Sequence, residues 1–139
     1  YVTGNLGISS LGLASQRGEA WLRHKRPVPR LAVGLQLRGL AIAAMDLSDG
    51  LSLDLRRLCQ ASKVGAEVDS IPIAGGATIE HALHGGEDYE LLFTAPPDAN
   101  IPAQIAGVPV TKIGRVTDRP EIITYKGSNL EPLGFDHFR

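Results

Sequence analysis

The chain has 139 residues, which is enough for one domain to fold around a core without disulfides or a metal. Hydrophobic residues make up 43% and charged residues 21%, an ordinary globular mixture that excludes a disordered or fibrous chain. The formal net charge of -1 gives no reason to expect nucleic acid or an anionic membrane as a partner.

The single cysteine, Cys59, cannot form an internal disulfide and lies in an amphipathic segment, so we expect a small buried thiol and a reducing, cytoplasmic environment. No apolar run approaches the roughly eighteen residues of a membrane-spanning helix, and no signal-peptide pattern is present. The chain begins with Tyr1 rather than Met, and Val2-Thr3-Gly4 reads as a strand already under way. We therefore expect a fragment.

The first part of the chain predicts a helix, a connector and a second short helix. Apolar residues recur at helical spacing from Ile8 to Lys25, with Gly12 and Gly18 as weak points. The run from His24 to Arg30 combines four basic groups with two prolines, which favours an extended, solvated link over contact with phosphate or an acidic partner. A short amphipathic piece follows from Leu31 to Leu40.

The middle of the chain predicts a buried strand followed by a helix. The apolar run from Leu40 to Met45 is typical of a buried strand and ends at Asp46. Ser48 or Asp49 could cap the next helix, whose apolar stripe comprises Leu51, Leu55 and Leu58.

The remaining elements are short and alternate between strand and helix patterns. They comprise a strand over 64–71, helical turns over 79–83, a strand face shared by Tyr89, Leu91 and Phe93, a loop with a short helix over 96–106, and strands over 108–116 and 121–125. Because strands and helices interleave, we expect one α/β domain over 1–139 with a layered, mixed sheet flanked by helices.

Two polar clusters are candidates for chemistry, and the first is Asp46-Leu47-Ser48-Asp49-Gly50 between strand and helix. A helix amino terminus with a glycine suits a phosphate, and two carboxylates can hold Mg²⁺ that bridges phosphate oxygens. Ordinary helix capping needs no ligand, and the spacing alone favours that interpretation.

The second cluster is His84-Gly85-Gly86-Glu87-Asp88-Tyr89-Glu90, which places three carboxylates just before an apolar strand. Adjacent carboxylates raise one another's pKa unless a cation screens them, so the cluster is a candidate for a metal or a cationic substrate. A solvated turn is the alternative. Strand alternation would send Glu87 and Tyr89 to one face and Asp88 and Glu90 to the other.

The carboxyl-terminal stretch from Leu133 to Arg139 contains two of the three phenylalanines of the chain. Packing of this tail on the domain and stacking on a ligand are both open. The four histidines show no metal-ligand spacing with Cys59, so we do not expect a structural zinc.

Taken together, these segments resemble the thiamine-monophosphate kinase family, within the group that includes aminoimidazole ribonucleotide synthetase. The resemblance runs in order through nearly the whole chain. Its motifs are Val2 to Gly7, Arg26 to Arg30, Met45 to Leu51, Ala66 to Val68, Gly85 to Phe93, Ile113 to Val116 and Gly134 to Phe138. The segment between Pro72 and Gly85 is shorter than the helical insert that the resemblance implies.

The resemblance implies a fold like the carboxyl-terminal domain of aminoimidazole ribonucleotide synthetase and an ATP-dependent conversion of thiamine monophosphate to thiamine diphosphate. It assigns Mg²⁺ to Asp46 and Asp49, an ATP contact to Ser48, and thiamine monophosphate contacts to Glu87 and Phe135. It also implies a homodimer and an amino-terminal ATP- and Mg²⁺-binding domain that this chain lacks, so we expect this chain alone to be inactive.

Two alternatives stay open at this point. Another ATP-dependent enzyme of the same group could act on a different small molecule. A non-catalytic module for binding or assembly could use the two acidic motifs only as caps and turns.

Overall fold

The computed structural model describes residues 1–134 and contains two sheets and five helices in that range. The helices are α1 (Ile8–Ser15), α2 (Gly18–Lys25), α3 (Leu31–Gln36), α4 (Leu51–Ser62) and α5 (Ile79–His84). The strands are β1 (Val2–Thr3), β2 (Ala43–Asp46), β3 (Gly65–Val68), β4 (Leu91–Thr94), β5 (Gln104–Ile105), β6 (Val108–Thr111), β7 (Gly114–Thr117), β8 (Ile123–Tyr125) and β9 (Ser128–Asn129).

The larger sheet has five strands in the order β2-β4-β1-β6-β5, and all its pairs are antiparallel. Short β1 is the central strand, with Val2 opposite Leu92 on one side and Thr111 on the other. The pairing of β2 with β4 sets Asp46 opposite Leu91. This register brings the ends of the two sequence motifs to the same edge of the sheet.

The smaller sheet has four strands in the order β7-β3-β8-β9. Strand β3 is antiparallel to β7 and parallel to β8, with Ala66 opposite Ile123. Because this sheet combines both orientations, it is the mixed sheet that the sequence predicts. The fold class, α/β with helices flanking the sheets, is confirmed, although the strands divide between two sheets.

The main core lies between α4, α5 and the two sheets. The predicted stripe of α4 is buried here, with Leu51 1% and Leu55 6% exposed, and Cys59 lies beside them at 2%. The expectation of a buried cysteine is therefore confirmed, and this burial raises the pKa of the Cys59 thiol. A second cluster packs Val33 of α3 and Leu37, the residue just after α3, against Phe93 of β4.

The helix predicted over 8–25 is wrong, because the chain forms two helices there. Gln16 adopts a left-handed conformation with φ 52° and ends α1, and Gly18 at φ 70° begins α2. Gly12 is required by packing, since a Cβ at that position would lie 2.1 Å from the carbonyl oxygen of Ala20. The missing side chain therefore permits the close approach of α1 and α2.

The short helix predicted within 96–106 is also wrong. That segment contains turns followed by β5, which pairs Ile105 with Val108 at the edge of the larger sheet. Within residues 1–134, no helix has both the length and the apolar character needed to cross a membrane.

Candidate functional site

The first acidic motif lies between the end of β2 and the start of α4. Asp46 is exposed at the last position of β2, and Leu47 beside it is buried at 2% exposure. Gly50 occupies the cap position of α4 with φ 109°, and no side chain caps the helix. The predicted cap by Ser48 or Asp49 is therefore wrong, because the chain enters α4 through a conformation that favours glycine.

Asp54, in the first turns of α4, accepts hydrogen bonds from the backbone of this loop. Its side chain is fully buried, and Oδ2 accepts hydrogen bonds from the backbone N–H groups of Ser48 at 3.0 Å and Asp49 at 2.9 Å. Burial raises the pKa of the Asp54 carboxyl, while the Asp49 N–H works in the opposite direction. Asp54 thus ties the loop before α4 to the helix, although these two N–H groups precede the helix and are not the ones that a capping side chain satisfies.

Asp49 is 7% exposed and forms an ion pair with Arg57. The same guanidinium nitrogen, Nη1, also lies 3.0 Å from Oδ1 of Asp54. The hydrogen bond with Asp49 is the main cause that raises the pKa of Arg57. Two carboxylates at the start of α4 therefore share one arginine.

The second motif runs directly beside the first. The N–H of Glu87 donates to the carbonyl oxygen of Ser48 at 2.8 Å, and the N–H of Tyr89 donates to that of Leu47 at 2.9 Å. The N–H of Leu47 in turn donates to the carbonyl oxygen of Glu90 at 2.8 Å. Backbone hydrogen bonds thus join the two sequence motifs in one place.

Two glycines permit this contact. Gly86 has φ 68°, and a Cβ there would lie 2.8 Å from the carbonyl oxygen of Ser48. A Cβ on Gly50 would approach the backbone of His84 to 3.0 Å. Side chains at these positions would force the two motifs apart.

The three carboxylates of the second motif have different surroundings. Glu87 and Tyr89 have φ of 57° and 50°, so the chain is not extended there and the predicted strand alternation is wrong. Asp88 instead accepts hydrogen bonds from the N–H groups of Gly7 at 2.6 Å and Ser9 at 3.0 Å, at the start of α1. Burial is the main cause that raises the pKa of Asp88.

Glu90 is 1% exposed, and its carboxylate is occupied by hydrogen bonds within the fold. Its Oε2 accepts hydrogen bonds from Oγ1 of Thr3 at 2.6 Å and from Nε of Arg30 at 2.8 Å, and its Oε1 pairs with the second nitrogen of that guanidinium. Arg30 is 12% exposed, so the prediction of a solvated basic link is wrong at this residue. The link is anchored because its last arginine neutralises a buried carboxylate.

Glu87 is the accessible carboxylate of the motif, with 54% of its side chain exposed. Its Oε2 lies 3.4 Å from Nδ1 of His24, and the His24 ring stacks on Trp21 with centroids 5.4 Å apart and an interplanar angle of 15°. The Lys25 ammonium lies 5.4 Å from the centroid of the Trp21 ring. An exposed carboxylate therefore lies beside a flat aromatic pair that the sequence pattern did not reveal.

An open groove of about 720 Å³ lies next to the two motifs. Asp46 and Tyr89 line it on the side of the sheet, and Leu31, Leu35 and Arg38 line it on the side of α3. Asp46 thus faces a space large enough for a small ligand.

The predicted substrate residue Phe135 lies outside the described residues. The described chain ends at Gly134, where a Cβ would lie 2.2 Å from the carbonyl oxygen of Asp49. The chain therefore approaches the first motif just before the predicted residue.

The carboxylates of the first motif fit a cation that is shared with other ligands. Within residues 1–134, no group of three or more His, Cys, Asp or Glu side chains could hold a metal by itself. Mg²⁺ is usually held by one or two carboxylates together with phosphate oxygens and water. Asp46 is exposed and Asp49 is paired with Arg57, so a cation bound to both would need further ligands and part of the Asp49–Arg57 contact.

Comparisons with known proteins agree with this architecture. The family model described as "AIR synthase related protein, C-terminal domain" matches residues 1–126. A thiamine-monophosphate kinase of Rhodopirellula baltica is 38% identical over 157 residues, covering 99% of this chain and 46% of the relative. One from Salmonella typhimurium is also 38% identical and covers 99% of this chain and 51% of the relative.

Solved structures give the same result. The structure described as "AaThiL complexed with AMPPCP and TMP" superposes with a TM-score of 0.84 at 34% identity, covering 99% of this chain and 50% of that chain. A thiamine-monophosphate kinase from Stenotrophomonas maltophilia superposes with a TM-score of 0.77 at 34% identity, covering 92% of this chain and 49% of that chain.

The resemblance to thiamine-monophosphate kinases is therefore confirmed, and this chain spans about half the length of the curated relatives it matches. Because the family model covers most of the chain, the sequence belongs to the family of AIR synthase related protein carboxyl-terminal domains.

Proposed function

We propose that this chain is the carboxyl-terminal part of a thiamine-monophosphate kinase, which transfers a phosphoryl group from ATP to thiamine monophosphate. The observation that carries the proposal is the 2.8 Å hydrogen bond from Glu87 N–H to the Ser48 carbonyl, which joins the two motifs. The relatives named above support it, because one solved neighbour is described as complexed with AMPPCP and TMP.

In this proposal Asp46 and Asp49 hold Mg²⁺, and the Ser48 hydroxyl contacts ATP. When bound, Mg²⁺ neutralises charge on the phosphates. The Asp46 carboxylate is accessible from the groove, and the hydrogen bonds from Ser48 and Asp49 N–H to Asp54 fix the loop that carries these groups. Such positioning is most of what phosphoryl transfer asks of a protein.

Glu87 is proposed to bind the cationic thiazolium of thiamine monophosphate. Its side chain is 54% exposed beside the Trp21–His24 pair, so a flat cationic ring could contact both a carboxylate and an aromatic surface. Phe135 is proposed as a further contact. The terminal phosphate of the substrate would attack ATP directly, so no enzyme nucleophile or base is required.

The complete protein is proposed to contain an amino-terminal domain that supplies the remaining ligands of ATP and Mg²⁺. A homodimer and a cytoplasmic location are proposed on the same resemblance. Because this chain spans about half the length of the relatives, it is proposed to contribute one side of the active site.

The Asp46→Asn substitution in the complete protein tests the metal assignment. Asp46 is exposed, so its replacement should leave folding unchanged. Thiamine diphosphate formation should fall about 10- to 100-fold and should require more Mg²⁺ for half-maximal rate. The rate is measured at saturating ATP while Mg²⁺ is varied.

Asp98→Asn is the matched control. Asp98 is also an exposed aspartate, but it follows β4 at the end where Thr94 pairs with Ala43, whereas Asp46 pairs with Leu91 at the other end. An Asp46→Asn protein with the activity and Mg²⁺ dependence of the control would contradict the assignment. Calorimetry with thiamine monophosphate and with an aminoimidazole ribonucleotide distinguishes the kinase from another enzyme of the group, and binding of neither would favour a non-catalytic module.

A further inference from the structure

Arg57 connects the loop that carries Asp49, just before α4, to Asp54 within α4. Its Nη1 donates to Oδ2 of Asp49 and, at 3.0 Å, to Oδ1 of Asp54. Asp54 is fully buried and Asp49 is 7% exposed, whereas 39% of the Arg57 side chain is exposed. The guanidinium is therefore the most accessible member of this group of three side chains.

We propose that Arg57 is a positioning residue that competes with a divalent cation for the Asp49 carboxylate; this inference rests on the proposed function. A guanidinium and a divalent cation bind the same carboxylate oxygens. While Arg57 contacts Asp49, it orients the carboxylate and offsets its charge, and it must yield part of that contact when a cation binds.

Asp54 gives Arg57 a second partner during this exchange. If Asp49 turns toward a cation, the contact between Nη1 and Oδ1 of Asp54 keeps the guanidinium paired. The other Asp54 oxygen continues to accept the N–H groups of Ser48 and Asp49. No charge is left unpaired in a buried place, so the exchange avoids the large cost of breaking a buried pair.

The test is a Mn²⁺ titration of the ¹⁵N-labelled 139-residue chain, followed by paramagnetic broadening of the amides of Ser48, Asp49 and Gly50. Arg57→Gln removes the competitor, so it should bind Mn²⁺ about three- to tenfold more tightly than the unaltered chain. Arg57→Lys retains the charge but lacks the planar fork, so its affinity should lie between the two.

Arg56→Gln is the matched control, because it removes the same charge from the neighbouring position of α4 and leaves the Arg57–Asp49 ion pair in place. Its affinity should equal that of the unaltered chain. The amide spectrum without Mn²⁺ shows whether each variant is folded. If Arg57→Gln is not folded, the comparison is made with Arg57→Lys.

The outcomes separate the inference from the proposed function. If Mn²⁺ broadens these amides but no folded Arg57 variant binds it more tightly, the role of Arg57 is overturned and the metal role of the loop stands. If Mn²⁺ broadens none of them in any folded chain, and Asp46→Asn in the complete protein keeps the Mg²⁺ dependence of the Asp98→Asn control, the metal assignment fails and the inference fails with it.

Discussion

The acidic residues of this chain divide into those that hold the backbone and those that face open space. Asp54 and Glu90 are buried. Asp54 accepts hydrogen bonds from the loop just before α4, and Glu90 accepts them from Thr3 and Arg30, which are distant in sequence. Asp46 and Glu87 are exposed near the groove and the aromatic pair. The two sets lie side by side, so the structural carboxylates determine where the accessible ones are presented.

Arg30→Ala should strongly destabilise the protein because it leaves the Glu90 carboxylate buried without its main partner. Breaking a buried pair from one side costs about 3–5 kcal/mol, and Arg23, 3.7 Å from Glu90, can offset only part of that. The measurement is the free energy of unfolding in urea. Arg38→Ala, at an exposed arginine nearby, should change it by less than about 0.5 kcal/mol. Equal losses in the two variants would contradict this account of Glu90.

The contact between the loop before α4 and the segment after α5 depends on Gly86. Its φ of 68° disfavours a side chain, and a Cβ would lie only 2.8 Å from the Ser48 carbonyl oxygen. Gly18 has a similar φ of 70° but open space around its Cβ position. A side chain at Gly18 would meet only backbone strain, whereas a side chain at Gly86 would meet both strain and a steric clash.

Gly86→Ala should reduce the free energy of unfolding by about 1–3 kcal/mol more than Gly18→Ala does. Both substitutions introduce left-handed strain, but the first alone pushes a methyl group against the Ser48 carbonyl. Thermal unfolding of the two variants gives the comparison. A Gly18→Ala protein that is as unstable as Gly86→Ala would show that the motifs can separate at no cost.

The spacing of apolar residues correctly predicts elements whose formation depends mainly on neighbouring residues. The apolar run before Asp46 and the stripe of Leu51, Leu55 and Leu58 correspond to β2 and α4. The break at Gln16 was missed because glutamine carries no signal for a left-handed conformation. β5 was missed because its two residues form a strand only through pairing with β6.

The sequence predicts the two motifs of the candidate site but not the side-chain contacts that support them. Asp54 had a readable signal, because it lies three residues after Leu51, on the apolar face of α4, where a carboxylate needs a buried partner. The pairing of Arg30 with Glu90 and the approach of His24 to Glu87 join distant parts of the chain. No local pattern encodes such contacts.

For the whole molecule, the proposal that the active site is shared with another domain predicts how the isolated chain behaves. Within residues 1–134 no group of three or more His, Cys, Asp or Glu side chains could hold a metal ion, and Asp46 lines an open groove. A partial set of ligands should not support phosphoryl transfer.

The isolated 139-residue chain should form no measurable thiamine diphosphate at saturating ATP and Mg²⁺, whereas the complete protein should form it readily. The measurement is product formation over hours at equal molar concentrations. The same preparation should show a dispersed amide spectrum, so that inactivity is not confused with unfolding. Turnover by the isolated chain would contradict a shared site.

The central place of β1 in the larger sheet also determines how that sheet is assembled. Val2 pairs with Leu92 and with Thr111, so the middle strand meets its neighbours only after most of the chain has been brought together. Closing loops of that length is entropically costly, and folds rich in such distant pairings are slow to form. During synthesis, the first residues must wait for β4 and β6 to leave the ribosome. α4 can begin to form earlier, because its helical hydrogen bonds lie within its own sequence. The helix that holds the loop of Ser48 and Asp49 can therefore form before the larger sheet is complete.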